Sequence, residues 1–275
     1  MDGTLYVVAT PIGNLDEMSP RAIAVLKSVK MIACEDTRET LKLCNRFDID
    51  TPLMSCHEHN EYFVADKIVE ILKRGDDVAL VSDAGYPGIS DPGNVVVNRC
   101  IEHRIKVAVV SGPCALINGL VGSGMDAQHF LFYGFLDHKQ GERKKELIEL
   151  TKIKNTIIFY EAPHRINESL EDMLEILGDR QIVIARELTK KFEEYLRGSI
   201  SEIMTKIKAK PIKGEMVIIV EGAKPEPAIS YSDVEVLEMV NSYIQQGMST
   251  SDAIKEVASV TKIKKNEIYH KFHQN

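Results

Sequence analysis

The chain has 275 residues, enough for about two domains at roughly 150 residues each. Its 44% hydrophobic and 27% charged content is that of an ordinary globular protein, and its net charge of −7 excludes a uniformly basic, phosphate-coating surface. No apolar run approaches the ~20 residues of a membrane span, the opening MDGTLYVVATPIGN lacks the features of a signal peptide, and the five scattered cysteines form no CxxC pair, so a cytoplasmic protein without membrane, structural zinc or disulfides is expected.

LYVVAT (5–10) reads as a first strand, followed by the helix SPRAIAVLKSV with Ser19 as N-cap and Pro20 at its first position. MIAC (31–34) is a second strand, and Asp36 or Thr37 opens the helix RETLKLCNRF. NEYFVADKIVEILKRG keeps apolar residues at helical spacing and closes on Gly75. The strands DVALVS (77–82) and KVAVVS (106–111) flank the helix NVVVNRCIEHR, and the GP at 112–113 marks a domain boundary. FLFYGF (130–135), TIIFYEA (156–162), QIVIARE (181–187) and EMVIIVEG (215–222) build a second sheet. AKPEPAIS (223–230) is a proline-bearing linker, and short helices follow, the first ended by Gly247 and the second capped by Ser249 or Ser251. This alternation predicts an α/β fold with mostly parallel sheets. The expected domains are 1–112, 113–224 and a helical tail, 230–275, that is either helix-turn-helix-like or a packing tail. Basic residues concentrate at HKQGERKK (138–145) and KIKK (262–265).

Ligands of open α/β sheets bind beyond the carboxyl ends of the strands. The loops there include TPIGNLDEMSP, SDAGYPGISDPG (82–93) and SGPCALINGLVGSG. Glycine and proline preorganise backbone N–H and C=O groups in such loops. Asp83, at the strand end, is assigned a ligand contact; Asp91, before Pro92 and Gly93, is divided between a ligand contact and a helix cap, with the cap preferred. GxGxxG, GxxxxGK[ST] and GxSxG are all absent, which removes the dinucleotide-binding, P-loop and commonest serine-hydrolase fingerprints. CEDTRET puts Glu35, Asp36 and Arg38 directly after the second strand. HEHNE (57–61) lacks the HExxH spacing of a metal site and reads as a polar helix start facing a cleft. In YEAPHRI, His164 and Arg165 are expected to point outward, Arg165 either toward a phosphate or paired with Glu161.

LYVVATPIGNLDEMSPRA, CEDTRET, HEHNE, LVSDAGYPGISDPG, VVSGPCAL, FYEAPHRI, ARELTKKFEE and GEMVIIVEG, in this order, resemble the ribosomal RNA small subunit methyltransferase I family of the tetrapyrrole methylase superfamily, over residues 5 to about 222. The resemblance implies two α/β domains with S-adenosyl-L-methionine bound in a cleft between them. It also implies a homodimer that methylates the 2′-hydroxyl of a cytidine in the decoding region of small-subunit (16S) rRNA, free or within the 30S particle. By resemblance the donor pocket draws on Pro11, Ile12, Asp83, Tyr86, Cys114 and Ala115, completed by Tyr160, Leu188 and Met216. The chain departs from the pattern at Tyr86 and Cys114, where small Thr and Ser are expected, and lacks a proline after GFL.

A ribose hydroxyl is a weak nucleophile, so an acceptor for its proton is expected nearby. Glu35, Asp36, His57, Glu161 and Glu187 are the candidates, with EDTR or YEAPHR preferred. Arg38, Arg165, Arg186 and Lys190 suit the RNA phosphates, with His164 beside them, and Arg143, Lys144, Lys145 and the C-terminal lysines would add sequence-independent attraction. The competing readings are methylation of a porphyrinoid or a protein side chain, and a non-catalytic RNA-binding assembly factor.

Overall fold

Short apolar strands and amphipathic helices alternate from the N-terminus of the computed structural model. It describes residues 1–224 and 231–274; residues 225–230, most of the expected linker, lie outside the described residues. Residues Met1–Ala223 form one unit and Lys224–Asn275 a second.

The first sheet comprises β1 (Thr4–Val8), β2 (Met31–Cys34), β3 (Leu53–Ser55), β4 (Val78–Val81) and β5 (Lys106–Val110). All are parallel, in the order β3-β2-β4-β1-β5. Between them run α1 (Pro20–Ser28), α2 (Thr37–Arg46), α3 (Glu61–Lys73) and α4 (Asn94–Glu102). Alternate strand residues face opposite layers. Leu5, Val78 and Leu80 pack with Ile68 and Leu72 of α3, whereas Ile32, Ala79 and Val81 pack with Leu26 of α1. Each such fully buried aliphatic side chain contributes about 1.5–3 kcal/mol. Ser19 caps α1 by accepting from the Ala22 N–H, and Asp36 caps α2 by accepting from the Arg38 N–H.

The second sheet follows α5 (Ala115–Ser123). It contains β6 (Phe130–Phe135), β7 (Thr156–Glu161), β8 (Gln181–Arg186), β9 (Glu194–Ser199) and β10 (Met216–Val220), in the order β6-β7-β10-β8-β9. Helices α6 (Gln140–Leu150), α7 (Ile166–Leu177) and α8 (Ile200–Ala209) cover one face through Ile157, Phe159, Ile182, Ile184 and Ile218. The other face packs Ile158, Val183, Val217 and Ile219 on Leu116 and Leu120 of α5.

Mostly parallel pairing holds for the first sheet and fails for the second. There only β6–β7 is parallel; β10 runs antiparallel between β7 and β8, and β9 runs antiparallel to β8. Both faces of this sheet are covered, so its strands read as continuous apolar runs that carry no sign of direction. The β8–β9 connection is also too short for a parallel crossover, which needs about a dozen residues or more. β3 and β9 escaped the sequence reading because both are edge strands without an apolar run. α5 was read as loop because it carries Gly119 and Gly122; a Cβ at Gly122 would lie 2.4 Å from the Tyr195 ring, so glycine permits the close approach.

The second unit holds α9 (Asp233–Gln245), α10 (Thr250–Thr261) and α11 (Lys265–Gln274), packed through Val236, Val240, Ile254, Val257 and Ile268. Ser232 and Glu235 form a capping box on α9, and Ser249 caps α10. Among the described residues no helix is long and apolar enough to cross a membrane.

Candidate active site

The loops after β1 and β4 are tied together. Thr10 and Gly85 exchange two backbone hydrogen bonds (2.9 and 3.1 Å), and the Thr10 hydroxyl donates to the Ser82 carbonyl at 3.1 Å. Gly85 sits at φ +73°, a conformation other residues adopt only with strain. The loop returns at Gly93, the N-cap of α4, whose N–H and that of Val95 both donate to Glu61 Oε1 (2.8 and 3.0 Å). Asp91 therefore does not cap α4, contrary to expectation. Glu61, buried and thirty-two residues away in sequence from Gly93, takes those donors across space.

A cleft of about 360 Å³ opens between these loops and the second sheet. Ile12, Cys114, Ala115, Leu188 and Met216 line it, as do Tyr86 and Tyr160. The two tyrosines hold the crossover between the sheets: Tyr86 Oη accepts from the Gly112 N–H at 3.0 Å and Tyr160 Oη from the Leu116 N–H at 3.2 Å. A register shift between Phe132 and Gly134 of β6 ends with Phe135 on the cleft wall, edge-on to Tyr160 at 5.6 Å. Burial pushes the Tyr160 phenol up to about 12, so it remains a neutral hydrogen-bonding group. Glu187 and Thr189 flank Leu188 at φ +50° and +66°, backbone strain of the kind that collects at ligand sites. Among the described residues the lining carries four carboxylates, Asp91, Glu161, Glu187 and Glu215, against one ammonium, that of Lys190. Lys190 Nζ is shared between Glu187 (3.2 Å) and Glu215 (3.3 Å). Asp91 is half-buried, and burial first, then Glu35, Asp83 and Glu215, push its carboxyl up to about 6.

A second cavity, of about 370 Å³, lies beyond β2, β3 and β4 and is polar throughout: Glu35, Asp36, Thr37, Arg38, Ser55, His57 and Asp83. The Arg38 guanidinium grips Asp36 through Nε and Nη2 (3.0 and 2.6 Å) and holds that carboxyl down at about 2. Asp83 accepts from the Asp36 N–H at 3.2 Å. Desolvation and the neighbouring carboxylates raise both Glu35 and Asp83. His57 Nδ1 is buried there without a hydrogen-bond partner among the described residues. The two cavities meet at consecutive residues, Asp83 facing the polar one and Ala84 the cleft.

A profile of the tetrapyrrole (corrin/porphyrin) methylases matches residues 4–204. The chain is 47% identical over 275 residues to the ribosomal RNA small subunit methyltransferase I of Bacillus subtilis (strain 168), covering 98% of this chain and 94% of that protein. The chain belongs to the ribosomal RNA small subunit methyltransferase I family. A relative of the same name from Synechocystis sp. is 41% identical, covering 97% and 96% of the two chains. Among solved structures, the methyltransferase CobJ superposes with a TM-score of 0.61 at 18% identity, covering 82% of this chain and 96% of that one. A uroporphyrin-III C-methyltransferase from Thermus thermophilus, complexed with S-adenyl homocysteine, gives 0.56 at 15% identity, covering 79% and 96%. At these identities both likenesses show the fold.

For a member of this methyltransferase family, the cleft fits the S-adenosylmethionine expected from the sequence. A sulfonium is a cation, and the lining offers apolar walls with an excess of carboxylates. A Cβ at Gly85 would stand 3.5 Å from Ile12 Cγ2 and 4.0 Å from the Pro113 carbonyl, so its absence keeps room at the wall.

Two of the expected donor residues lie elsewhere: Pro11 is buried off the lining, and Asp83 faces the polar cavity. Of the expected catalytic residues, Glu35 and Arg38 share the polar cavity, whereas Glu187 lines the cleft. His164 is exposed and lines neither cavity, and Arg165 is not turned outward. Arg165 Nη2 donates to the carbonyls of Leu136 and Asp137 (2.7 and 3.1 Å), and its Nε lies 3.4 Å from the buried carboxylate of Glu161, which also accepts from Ser169. Arg186 is bound by Glu194 at 2.6 Å. The basic run 143–145 is not a free surface. Arg143 is 1% exposed and paired with Asp172 at 2.7 Å, while Lys144 pairs with Glu175 and Lys145 with Glu142. Asp91, for which a ligand contact was the less favoured of two readings, lines the cleft, and Glu215 was missed; each sits beside a strand or helix end, where carboxylates usually read as turns or caps.

Proposed function

We propose that the chain methylates the ribose 2′-hydroxyl of a cytidine in the decoding region of 16S rRNA, using S-adenosylmethionine bound in the cleft. What supports this reading is one arrangement: an anionic, largely apolar cleft and an arginine-bearing polar cavity share the Asp83–Ala84 wall in a chain of this family. S-adenosylmethionine supplies an electrophilic methyl on sulfur. The protein's share is then mainly orientation, since holding the reacting atoms in line is worth up to about 7–11 kcal/mol. Tyr86, Tyr160 and the Thr10–Gly85 pairing hold the walls still. Arg38, 85% exposed at the side chain, reaches out from the polar cavity toward the RNA backbone. A target nucleotide turned out of its stack reaches such a cavity without groove reading. Lys262, Lys264 and Lys265, exposed and without ion pairs among the described residues, add sequence-independent attraction.

On this reading residues 1–112 and 113–224 act as two α/β domains, and the protein works in the cytoplasm as a homodimer on free rRNA or the 30S particle. Exposed Val109 on the edge strand β5, with Ile117 and Val121 on α5, supplies apolar surface for such a dimer. The test is a map of ribose methylation in small-subunit rRNA from cells with the gene deleted and restored. One cytidine is expected to lose and regain its 2′-O-methyl group; an unchanged map would refute the assignment.

A further inference from the structure

We propose that Asp91, on the cleft wall, is the proton acceptor for the target hydroxyl; the proposal rests on the methyl-transfer reading above. Asp91 lines the cleft, and its carboxylate has neither a hydrogen bond nor an ion pair among the described residues. A half-buried carboxylate left without a partner on a largely apolar wall is costly, and such groups call for a reason. Helix capping is not the reason, because Glu61 already holds the Gly93 and Val95 N–H groups. The preceding residue, Ser90, is held at φ +60°, so the backbone that presents Asp91 is itself in a sparsely used conformation.

The groups that act electrostatically with Asp91 are Glu35 and Asp83, which line the polar cavity, and Glu215 and Tyr160, which line the cleft. None of them is a cation. The competing carboxylates have other work. Asp36 is gripped by Arg38, Glu187 and Glu215 share Lys190, and Glu161 is bound by Ser169, Arg165 and the Ala162 N–H. Glu35 is open but faces the polar cavity alone. Among the described carboxylates of the two cavities, Asp91 alone combines an unpaired carboxylate with a place on the cleft wall.

The step balances as follows. A lone pair of the ribose oxygen forms the new C–O bond to the methyl carbon, and the S–C pair stays on sulfur, leaving a neutral thioether. The O–H bond breaks with its proton passing to the Asp91 carboxylate, which later returns it to water. The carboxylate must be ionised to act, so the rate rises with pH through a value of about 6 and then levels.

Asp91→Asn keeps the shape and removes the base. Its kcat is expected to fall by on the order of 10²–10³-fold, while affinity for S-adenosylhomocysteine stays within about threefold, which also shows that the variant is folded. The rising acid limb of the pH profile should vanish. A readout independent of turnover is proton release on binding S-adenosylmethionine near pH 6, measured by calorimetry in buffers of different ionisation heat. The cation favours the ionised carboxylate, so the wild type releases a fraction of a proton and Asp91→Asn releases none. If Asp91→Asn keeps the acid limb and most of its kcat, or if Glu35→Gln removes the limb instead, the assignment is overturned with the methyl-transfer reading intact. If the wild-type protein binds no S-adenosylhomocysteine, that reading falls too.

Discussion

The cleft and the polar cavity meet at Asp83 and Ala84 of the first unit, yet they are built differently. The cleft takes walls from both sheets and is shaped by fixed backbone, by the Thr10–Gly85 pairing and by two tyrosine hydroxyls that bind N–H groups. The polar cavity comes from loops of the first sheet alone and presents side-chain charge, most of it tied in local pairs. On the proposed function, the first region selects by shape and the second by charge and hydrogen bonding. On the proposed reading, cleft substitutions other than at the proton acceptor Asp91 alter the donor, and cavity substitutions alter the RNA.

The largest effect on donor binding is expected at Gly85. Gly85→Val forces a β-branched residue to φ +73° and fills the wall beside Ile12. S-adenosylhomocysteine affinity, read by calorimetry, should fall by on the order of 100-fold, or about 2.7 kcal/mol; an unchanged affinity would place the donor elsewhere. Next comes the support beneath the shared wall. Glu61→Ala leaves the Gly93 and Val95 N–H groups without acceptors and should lower stability by about 2 kcal/mol in denaturant unfolding. Arg38→Ala should cost about tenfold in kcat/KM for RNA and flatten the salt dependence, with donor affinity unchanged. A parallel loss of donor affinity would merge the two regions into one.

The smallest effect is the one Asp91 has on stability. Its folded value, about 6, lies above that of an ordinary carboxyl, so the protonated form is favoured in the fold. Its contribution is therefore full below about pH 4, the ordinary value, and is lost as pH rises through about 6. Above that range Asp91→Asn should be the more stable protein, by on the order of 1 kcal/mol after allowing for solvent screening. Thermal unfolding at pH 7.5 and pH 4 checks the sign: the gain must be present at the first and absent at the second.

Much of this architecture was legible because apolar runs and helix caps are local. Ser19, Pro20 and Asp36 stand where their chemistry predicts. Strand direction in the second sheet was not legible, since a strand covered on both faces looks the same either way. Of the residues that the resemblance implies for the donor, Ile12, Tyr86, Cys114, Ala115, Tyr160, Leu188 and Met216 line the cleft. What failed were roles set by distant partners. Asp91 looked like a cap until Glu61 was seen to hold the same N–H groups. Arg143 and Arg38 are the same residue type in charged surroundings, yet one is 1% exposed against Asp172 and the other 85% exposed over a cavity. Nothing within either local segment separates them.

The division of labour between cleft and cavity is tested most directly by titrating S-adenosylhomocysteine into the protein already saturated with its target RNA. Separate sites predict that both ligands are held together, one S-adenosylhomocysteine per chain, with an affinity close to that of the free protein. Displacement of either ligand by the other would contradict the account.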